Sequence, residues 1–237
     1  MALLLTNASL QNINYGSFSG ISSLPQKSWI LWFNKTADAN GGMFVDLRYN
    51  SITVDSSWSI YTRVTGKIRF QYPWTTATSN VGLWDSDVVA NNSLNQLIIT
   101  YDDTSTSNTP IMYVNGASVT VTTVNSPSGS TPTGTNNTLR VGSAAASNGF
   151  DGNLYGFCLY NRILSASEAL DAYNSKLAIP TRRGLIFAPQ LWGCAGGVAE
   201  SGTMAAGNTV ADAVSGALGV PSGSPVFKGD TVLTFQS

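Results

Sequence analysis

The feature that most constrains the fold is a hairpin signal in the segment PIMYVNGASVTVTTV, residues 110–124. Asn115 and Gly116 readily adopt the two successive positive φ angles that a type I′ turn requires. The Val- and Thr-rich residues on both sides are typical of strands. We therefore predict a tight antiparallel hairpin here, which commits this part of the chain to a β-sheet.

The alternation of apolar and polar residues that marks a strand recurs along the chain. In GKIRFQY, Ile68, Phe70 and Tyr72 fall on one face of a predicted strand, and WSIYTRV (58–64) is its predicted partner. Further strands are predicted at 28–34, 43–48, 96–101, 138–143, 152–160, 185–192 and 230–237. Short strands separated by turn signals favour a β-sandwich.

One helix is predicted in this β-rich chain. Ser165 and Glu168 have the spacing of a capping box, in which each side chain bonds a free backbone N–H at the start of a helix. Leu170, Tyr173 and Leu177 then lie on one face of the helix. We expect a single short helix to cover one end or the rim of the sandwich.

The composition changes after Pro180. Residues 193–225 are rich in Gly, Ala, Ser and Val and contain few large side chains that could anchor a separate core. We predict a sandwich domain at 1–180 and an extension at 181–237. This extension packs on the sandwich or on a neighbouring subunit.

Charge and residue content exclude several classes of function. The net charge of −1 provides no basic surface for nucleic acid or for an anionic membrane. No apolar run approaches the roughly 18 residues that a membrane span needs. The chain contains no histidine, the commonest general base and metal ligand. We therefore expect neither nucleic-acid binding, nor membrane insertion, nor enzymatic activity.

The N-terminus and the two cysteines indicate the cellular compartment in which the protein is made. The apolar run at residues 2–5 has no basic residues before it and is too short for a signal peptide. Because Met1 is present, we predict a protein made and assembled inside a cell. Two cysteines do not form a disulfide scaffold. Cys158 lies in an apolar strand pattern and is expected to be a buried thiol, with a disulfide to Cys194 as the alternative.

The segment FDGNLYGFCLYNRILSASEALDAY, residues 150–173, resembles the closing strand and helix of laminin-G-like, concanavalin A-type jelly rolls. In that family a phrase of the form F-D-G-x-I-D-E-V-R-I-Y-N-R-A-L-S precedes an acidic helix. The matching residues are Phe150, Asp151, Gly152, Leu154, Tyr160, Asn161, Arg162, Leu164, Ser165 and Glu168. Upstream, NQLIITYDD (95–103), IMYVNG (111–116) and SWILWFN (28–34) resemble further family strands in the expected order, so that the resemblance covers residues 20–178.

The resemblance implies an all-β, concanavalin A-like (laminin-G-like) jelly-roll β-sandwich with one short helix and a Gly/Ala/Ser-rich C-terminal extension. It also implies that the strand at 152–160 closes a sheet and that Arg162 bonds carbonyl groups at the following corner. The chain departs from the family at Tyr155 and Gly156, where an acidic pair is usual, and at Asn95, where histidine is common.

Two further functions occur in this fold. Some relatives are glycosidases with an E-x-D-x-x-E strand, which is absent from this sequence. Others bind carbohydrate, which requires an aromatic platform beside hydrogen-bonding side chains. The candidate residues for such a site are Trp74, Trp84, Asn80 and Asp85, placed in predicted loops. The alternative is that both tryptophans belong to the core.

Calcium is the cofactor that the resemblance suggests, since laminin-G-like domains often bind it in loops at the rim. A Ca²⁺ ion takes 6–8 oxygen ligands. The candidate ligands are Asp85, Asp87, Asp102, Asp103 and Asp151. The stretches WDSD and YDD that contain most of them are also ordinary turn sequences. We therefore predict no resident cofactor, with Ca²⁺ as the alternative.

Our functional prediction is a non-enzymatic virion structural protein, a phage capsid decoration or auxiliary protein assembled in the host cytoplasm. Its partners would be further copies of itself and capsid or other virion proteins. This hypothesis accounts together for the absent secretion signal, the absent catalytic groups and the neutral charge. The first alternative is a carbohydrate-binding adhesin of a phage fibre or cell surface, with host-surface glycans as partners. The second is a secreted, extracellular, calcium-dependent lectin-like module.

Overall fold

A computed structural model describes most of the chain. The described residues are 2–5, 11–17, 24–38, 41–49, 58–74, 80–130, 137–144, 147–176, 179–189, 202–203, 210–215, 217–222 and 226–228. The predicted strand at 230–237, Leu177 and Cys194 lie outside them.

The described part of the chain is almost entirely β-structure. Its strands up to the helix are β1 (Ala2–Leu5), β2 (Asn12–Ser17), β3 (Gln26–Lys35), β4 (Met43–Tyr49), β5 (Trp58–Thr62), β6 (Lys67–Pro73), β7 (Val81–Val88), β8 (Asn95–Asp102), β9 (Ile111–Val114), β10 (Ala117–Val119), β11 (Thr122–Asn125), β12 (Asn137–Val141), β13 (Ser143–Ala144), β14 (Ser147–Gly149) and β15 (Gly152–Tyr160). The helix is α1 (Ala166–Asn174). The strands after it are β16 (Leu185–Phe187), β17 (Gly202–Thr203), β18 (Val210–Ala211), β19 (Leu218–Ser222) and β20 (Val226–Lys228). No helix in the described ranges is long and apolar enough to cross a membrane.

The strands form a two-sheet sandwich, which confirms the predicted fold class. Within the described residues, one sheet has nine strands in the order β10-β9-β8-β3-β15-β1-β20-β17, with β16 also paired to β15. The other has eleven strands, of which nine follow the order β11-β7-β6-β5-β4-β12-β2-β19-β18, while β14 pairs with both β13 and β4. The pairings are antiparallel apart from β14 with β4.

The apolar run of β3 is continuous because both faces of the nine-stranded sheet are buried. Trp29, Leu31 and Phe33 point into the main core between the two sheets. Ile30 and Trp32 point the other way, into a second cluster on the outer face of this sheet. The remaining buried members of the second cluster are Ile98, Tyr113, Tyr155, Cys158, Tyr160, Leu164, Ala169 and Ala188. Its Cys158 is a buried thiol outside any disulfide.

Helix α1 packs on this outer face beside β10, the edge strand of the nine-stranded sheet, so it covers an edge of the sandwich as predicted and not an open end. Ala169 and Ala172 are buried, and the ring of Tyr173 lies parallel to that of Trp32 with 6.1 Å between their centroids. Leu170 is 47% exposed, although we grouped it with Tyr173 on one apolar face. The helix is rotated from that expectation because the small alanine side chains let its backbone approach the sheet closely.

The corner between β15 and α1 is built as predicted. Ser165 and Glu168 form a complete capping box. Arg162 donates from Nε to the carbonyl oxygen of Arg183 (2.9 Å) and from Nη1 to that of Ile163 (3.2 Å), which confirms its role in bonding carbonyl groups. The same guanidinium also holds the carboxylate of Glu168.

The described strands of the C-terminal extension belong to the sandwich of their own chain. β16 pairs with β15, β19 pairs with β2, and β20 pairs with β1. The extension therefore adds strands to both sheets, and it does so beside the two N-terminal strands. This pairing corresponds to the first of the two arrangements that we considered for residues 181–237, packing on the sandwich.

Candidate functional site

The tryptophans proposed as a sugar platform lie in the core, and this part of our site prediction is wrong. Trp84 is fully buried in β7, with its ring stacked on Phe70 at 5.8 Å. A Cβ atom at Gly82 would overlap the Trp84 indole, so the missing side chain makes room for the ring. Trp74 is 3% exposed, and its Nε1 donates to the hydroxyl of Tyr101 at 2.9 Å. Neither ring can stack on a ligand at the surface.

The two polar residues predicted beside the tryptophans lie apart from each other. Asn80 precedes β7 and accepts a hydrogen bond from the hydroxyl of Ser128 at 2.8 Å. Asp85 lies on the outer face of the eleven-stranded sheet and is bound by Arg69. Of the four predicted residues, Asp85 is therefore the one that lies on the outer face of the eleven-stranded sheet.

The five aspartates predicted as calcium ligands are dispersed and engaged in other contacts. Asp87 accepts a hydrogen bond from the backbone N–H of Thr120, and Asp102 accepts one from that of Thr104. Asp151 precedes β15, and its carbonyl oxygen accepts hydrogen bonds from the backbone N–H and the hydroxyl of Thr36. Within the described ranges, no three Asp, Glu, Cys or His side chains converge on one point.

Asp103 is bound by a cation that the chain itself supplies. The ammonium group of Lys27, fully buried at the start of β3, lies 2.6 Å from its carboxylate and 2.8 Å from the hydroxyl of Tyr72. Burial lowers the pKa of Lys27, and the neighbouring Asp103 opposes this effect. At the other end of β3, the buried ammonium group of Lys35 likewise binds a carboxylate, that of Asp38, and the side-chain oxygen of Asn91.

A continuous row of side chains crosses the outer face of the eleven-stranded sheet. Cross-strand pairing in register joins Asn125, Leu83, Gln71, Ser59, Asp46, Arg140, Asn14 and Val220, from β11 to β19. We call these eight residues the transverse row. Asp46 and Ser59 in its middle are 1% and 3% exposed, whereas the flanking residues are half-buried and Val220 is 56% exposed. The row is therefore buried in its middle, at β4 and β5, and accessible on both sides of that middle.

A second row of side chains lies beside the first on the same face. It joins Tyr61, Arg69, Asp85 and Thr122 in register. Arg69 binds Asp85 through two parallel hydrogen bonds, Nε to Oδ1 at 2.6 Å and Nη2 to Oδ2 at 2.9 Å. Tyr61 is half-buried, and its hydroxyl donates to Gln71 at 3.4 Å. We call the transverse row and this second row together the polar face.

The polar face follows from the alternation of its strands. Ile60 and Phe70 point into the core, so their neighbours Tyr61, Arg69 and Gln71 must point outward. The alternation in β6 was predictable from its sequence, but no function could be assigned from it to the outward positions. The pattern shows which residues face outward in one strand, and the order of strands is needed to show which of them meet.

Comparisons with known proteins agree with this architecture. A family model described as the concanavalin A-like lectin/glucanases superfamily matches residues 15–169. A protein from Bacteroides ovatus, described as a candidate carbohydrate-binding protein, has a TM-score of 0.62 at 11% identity over 98% of this chain. The chain spans 61% of the length of that protein.

Two smaller relatives are covered more fully. A heptameric SAP-like pentraxin from Limulus polyphemus has a TM-score of 0.54 at 12% identity, over 76% of this chain and 83% of its own. The CBM40 module of the Ruminococcus gnavus IT-sialidase, bound to α2,6-sialyllactose, has a TM-score of 0.50 at 14% identity, over 68% of this chain and 97% of its own. At these identities the structures share the fold alone. A comparison with curated protein sequences gave no match. Because the family model matches more than half of the sequence, the chain belongs to the concanavalin A-like lectin/glucanases superfamily.

Proposed function

We propose that the protein is a non-catalytic carbohydrate-binding module and that the polar face is its binding surface. The observation that carries this proposal is the transverse row, in which amide, hydroxyl, carboxylate and guanidinium groups follow one another across the sheet. Sugar hydroxyls both donate and accept hydrogen bonds, so a surface of mixed donors and acceptors suits them. Tyr61 adds an aromatic ring beside Gln71 and Arg69.

The described carboxylates of the polar face favour binding over hydrolysis. Glycoside hydrolysis generally needs two carboxyl groups that flank the scissile bond. Both oxygens of Asp85 are engaged by Arg69, and Asp46 lies directly opposite Arg140 on the neighbouring strand. Each carboxylate therefore lies opposite an arginine in register, and neither faces a second acid. Binding functions named for the Bacteroides and Ruminococcus proteins support the same assignment.

The virion hypothesis stays a prediction from the sequence. It rests on the absent secretion signal, the absent catalytic groups and the neutral charge, and a C-terminal arm packed on a neighbouring subunit would have supported it. β19 and β20 are instead hydrogen-bonded to β2 and β1 of the same chain. A carbohydrate-binding module on a fibre or a cell surface needs no such arm, and we therefore prefer it.

A glycan array probed with the full chain and with variants of the polar face tests the proposal. We expect the wild-type protein to bind a defined set of glycans. We expect Tyr61→Ala and Gln71→Ala each to weaken that binding by about tenfold, the effect of losing roughly 1.4 kcal/mol of contact energy. Tyr173→Ala is the matched control, because Tyr173 is also a half-buried tyrosine but covers the other sheet. Unchanged binding by both polar-face variants would place the site elsewhere.

A further inference from the structure

We infer that the ligand is an uncharged oligosaccharide lying across the strands, and that the polar face discriminates against glycans that carry a carboxylate. This inference rests on the proposed function and names the substrate class of the same site. It depends on two observations: the two arginines of the polar face each lie opposite an aspartate in register, and the transverse row follows a straight path.

Arg69 cannot receive a ligand carboxylate without releasing Asp85. Both groups are only about one-tenth exposed, at 11% and 12%, and the guanidinium and the carboxylate share two hydrogen bonds. The hydrogen bonds that Arg69 donates to Asp85 are the main reason that the pKa of Arg69 is raised. An anionic ligand that took over the guanidinium would leave a nearly buried carboxylate without its partner. Such a separation is strongly unfavourable.

Arg140 also lies opposite an aspartate, on the other side of the buried middle of the row. It lies directly opposite Asp46 in the β12–β4 pairing, and residues so placed are close enough for their side chains to interact. Asp46 is 1% exposed, so its carboxylate lies beneath any ligand that approaches Arg140. A ligand carboxylate at Arg140 would bring a full charge close to this buried carboxyl group, whereas a hydroxyl would not.

The path of the transverse row indicates how a sugar chain would lie. Adjacent strands are about 4.8 Å apart, and the row advances by one strand at each residue. A pyranose unit of an extended β-linked chain advances by a similar distance. An oligosaccharide along the row would thus present one sugar ring to each strand from β7 to β2, over Leu83 and Gln71 on one side of the buried middle and Arg140 and Asn14 on the other.

The test compares neutral glycans with the same glycans carrying a terminal sialic acid. The full chain is measured against lactose and sialyllactose, and against neutral β-linked hexasaccharides of glucose, xylose and mannose, by array and by titration calorimetry at pH 7. We expect binding to at least one neutral hexasaccharide. For any pair that binds, we expect the sialylated member to be weaker by at least tenfold.

A charge-matched pair of variants tests whether the ion pair between Arg69 and Asp85 causes the discrimination against carboxylates. Asp85→Asn releases the Arg69 guanidinium and is expected to reduce the discrimination against sialylated glycans at least threefold. Asp87→Asn makes the same change in charge at an exposed residue that bonds the backbone of Thr120, and it should leave the discrimination unchanged.

The outcomes separate this inference from the proposed function. Equal or tighter wild-type binding of the sialylated member overturns the inference but leaves a carbohydrate-binding protein. The absence of binding to any array glycan overturns the proposed function, and the inference with it. If neutral glycans bind but only short ones do, with no gain from disaccharide to hexasaccharide, the path along the transverse row is wrong.

Discussion

Glu168 shows how much of one corner depends on a single side chain. Its carboxylate accepts hydrogen bonds from Arg162 and from the backbone N–H of Ser165, while the Ser165 hydroxyl accepts from the backbone of Glu168 in return. The Arg162 hydrogen bonds are the largest cause that lowers the pKa of Glu168 from 4.5 to about 2. The chain thus fastens β15 to α1 with an ion pair that requires an ionised carboxylate.

The pH dependence of stability follows from that lowered pKa. Because the folded state holds the Glu168 proton more weakly than the unfolded state does, the stabilisation is complete above about pH 4.5 and is lost as the pH falls towards 2. Glu168 is 32% exposed, so we expect Glu168→Gln to cost only about 1 kcal/mol at pH 6. Urea unfolding of both proteins between pH 2 and 6 measures the difference. A difference that stays constant across this range would show that the carboxylate charge contributes nothing.

At the scale of elements, β15 is the strand on which the fold closes. It pairs with β3 along its length, with β1 on its other side and with β16 near its end. Gly152, the glycine of the FDG sequence, begins it with φ +146°, where a Cβ atom would overlap the carbonyl oxygen of Asn34 in β3. The glycine therefore permits the closest approach between the two central strands.

Replacing Gly152 tests this close approach. Gly152→Ala must both strain the backbone and push β3 away, and we expect it to lower the free energy of unfolding by roughly 3 kcal/mol. Gly16→Ala is the matched control, since Gly16 also has a positive φ (+66°) but has no atom within 4 Å of an added Cβ. We expect the control to lose only about 1 kcal/mol. Equal losses in urea unfolding would mean that backbone strain alone, and not contact with Asn34, makes glycine necessary.

At the scale of the whole molecule, the two ends of the chain complete both sheets together. β20 covers β1 in the nine-stranded sheet, and β19 covers β2 in the eleven-stranded sheet. Gly219 in β19 lies against Ile13 and Tyr15, where an added Cβ would overlap Ile13. The extension therefore shields strand edges that would otherwise be open to pairing with other chains.

Removal of residues 181–237 tests this role. We expect the shortened chain to unfold at a lower urea concentration and to self-associate, because β1 and β2 lose their outer partners. Light scattering gives the mass in solution, and circular dichroism gives the unfolding transition. A shortened chain that stays monomeric and equally stable would show that these pairings contribute little. A full-length chain that is oligomeric while the shortened one is monomeric would favour the arm of the virion hypothesis.

How far the sequence could predict the fold depended on whether the information was local. The Asn115-Gly116 turn, with φ angles of +54° and +80°, the capping box and strand β15 were all predictable, because residues close in sequence determine them. Strand β7 was not, because Gly82, Asp85 and Asp87 have low β-propensity and pairing with β6 and β11 outweighs it.

The sequence by itself determined the fold class, the hairpin, the cap and the outward side of β6. Only the tertiary structure decided that Trp84 is buried in the core and that Asp85 forms an ion pair with Arg69. It also decided that residues as distant in sequence as Asn14 and Asn125 lie in one row. The physical reason is that alternation along a strand predicts on which face of the sheet each side chain lies. It does not predict which residues of the neighbouring strands lie beside that side chain. Neighbours come from strand order and register, which are set by burial of the whole core at once.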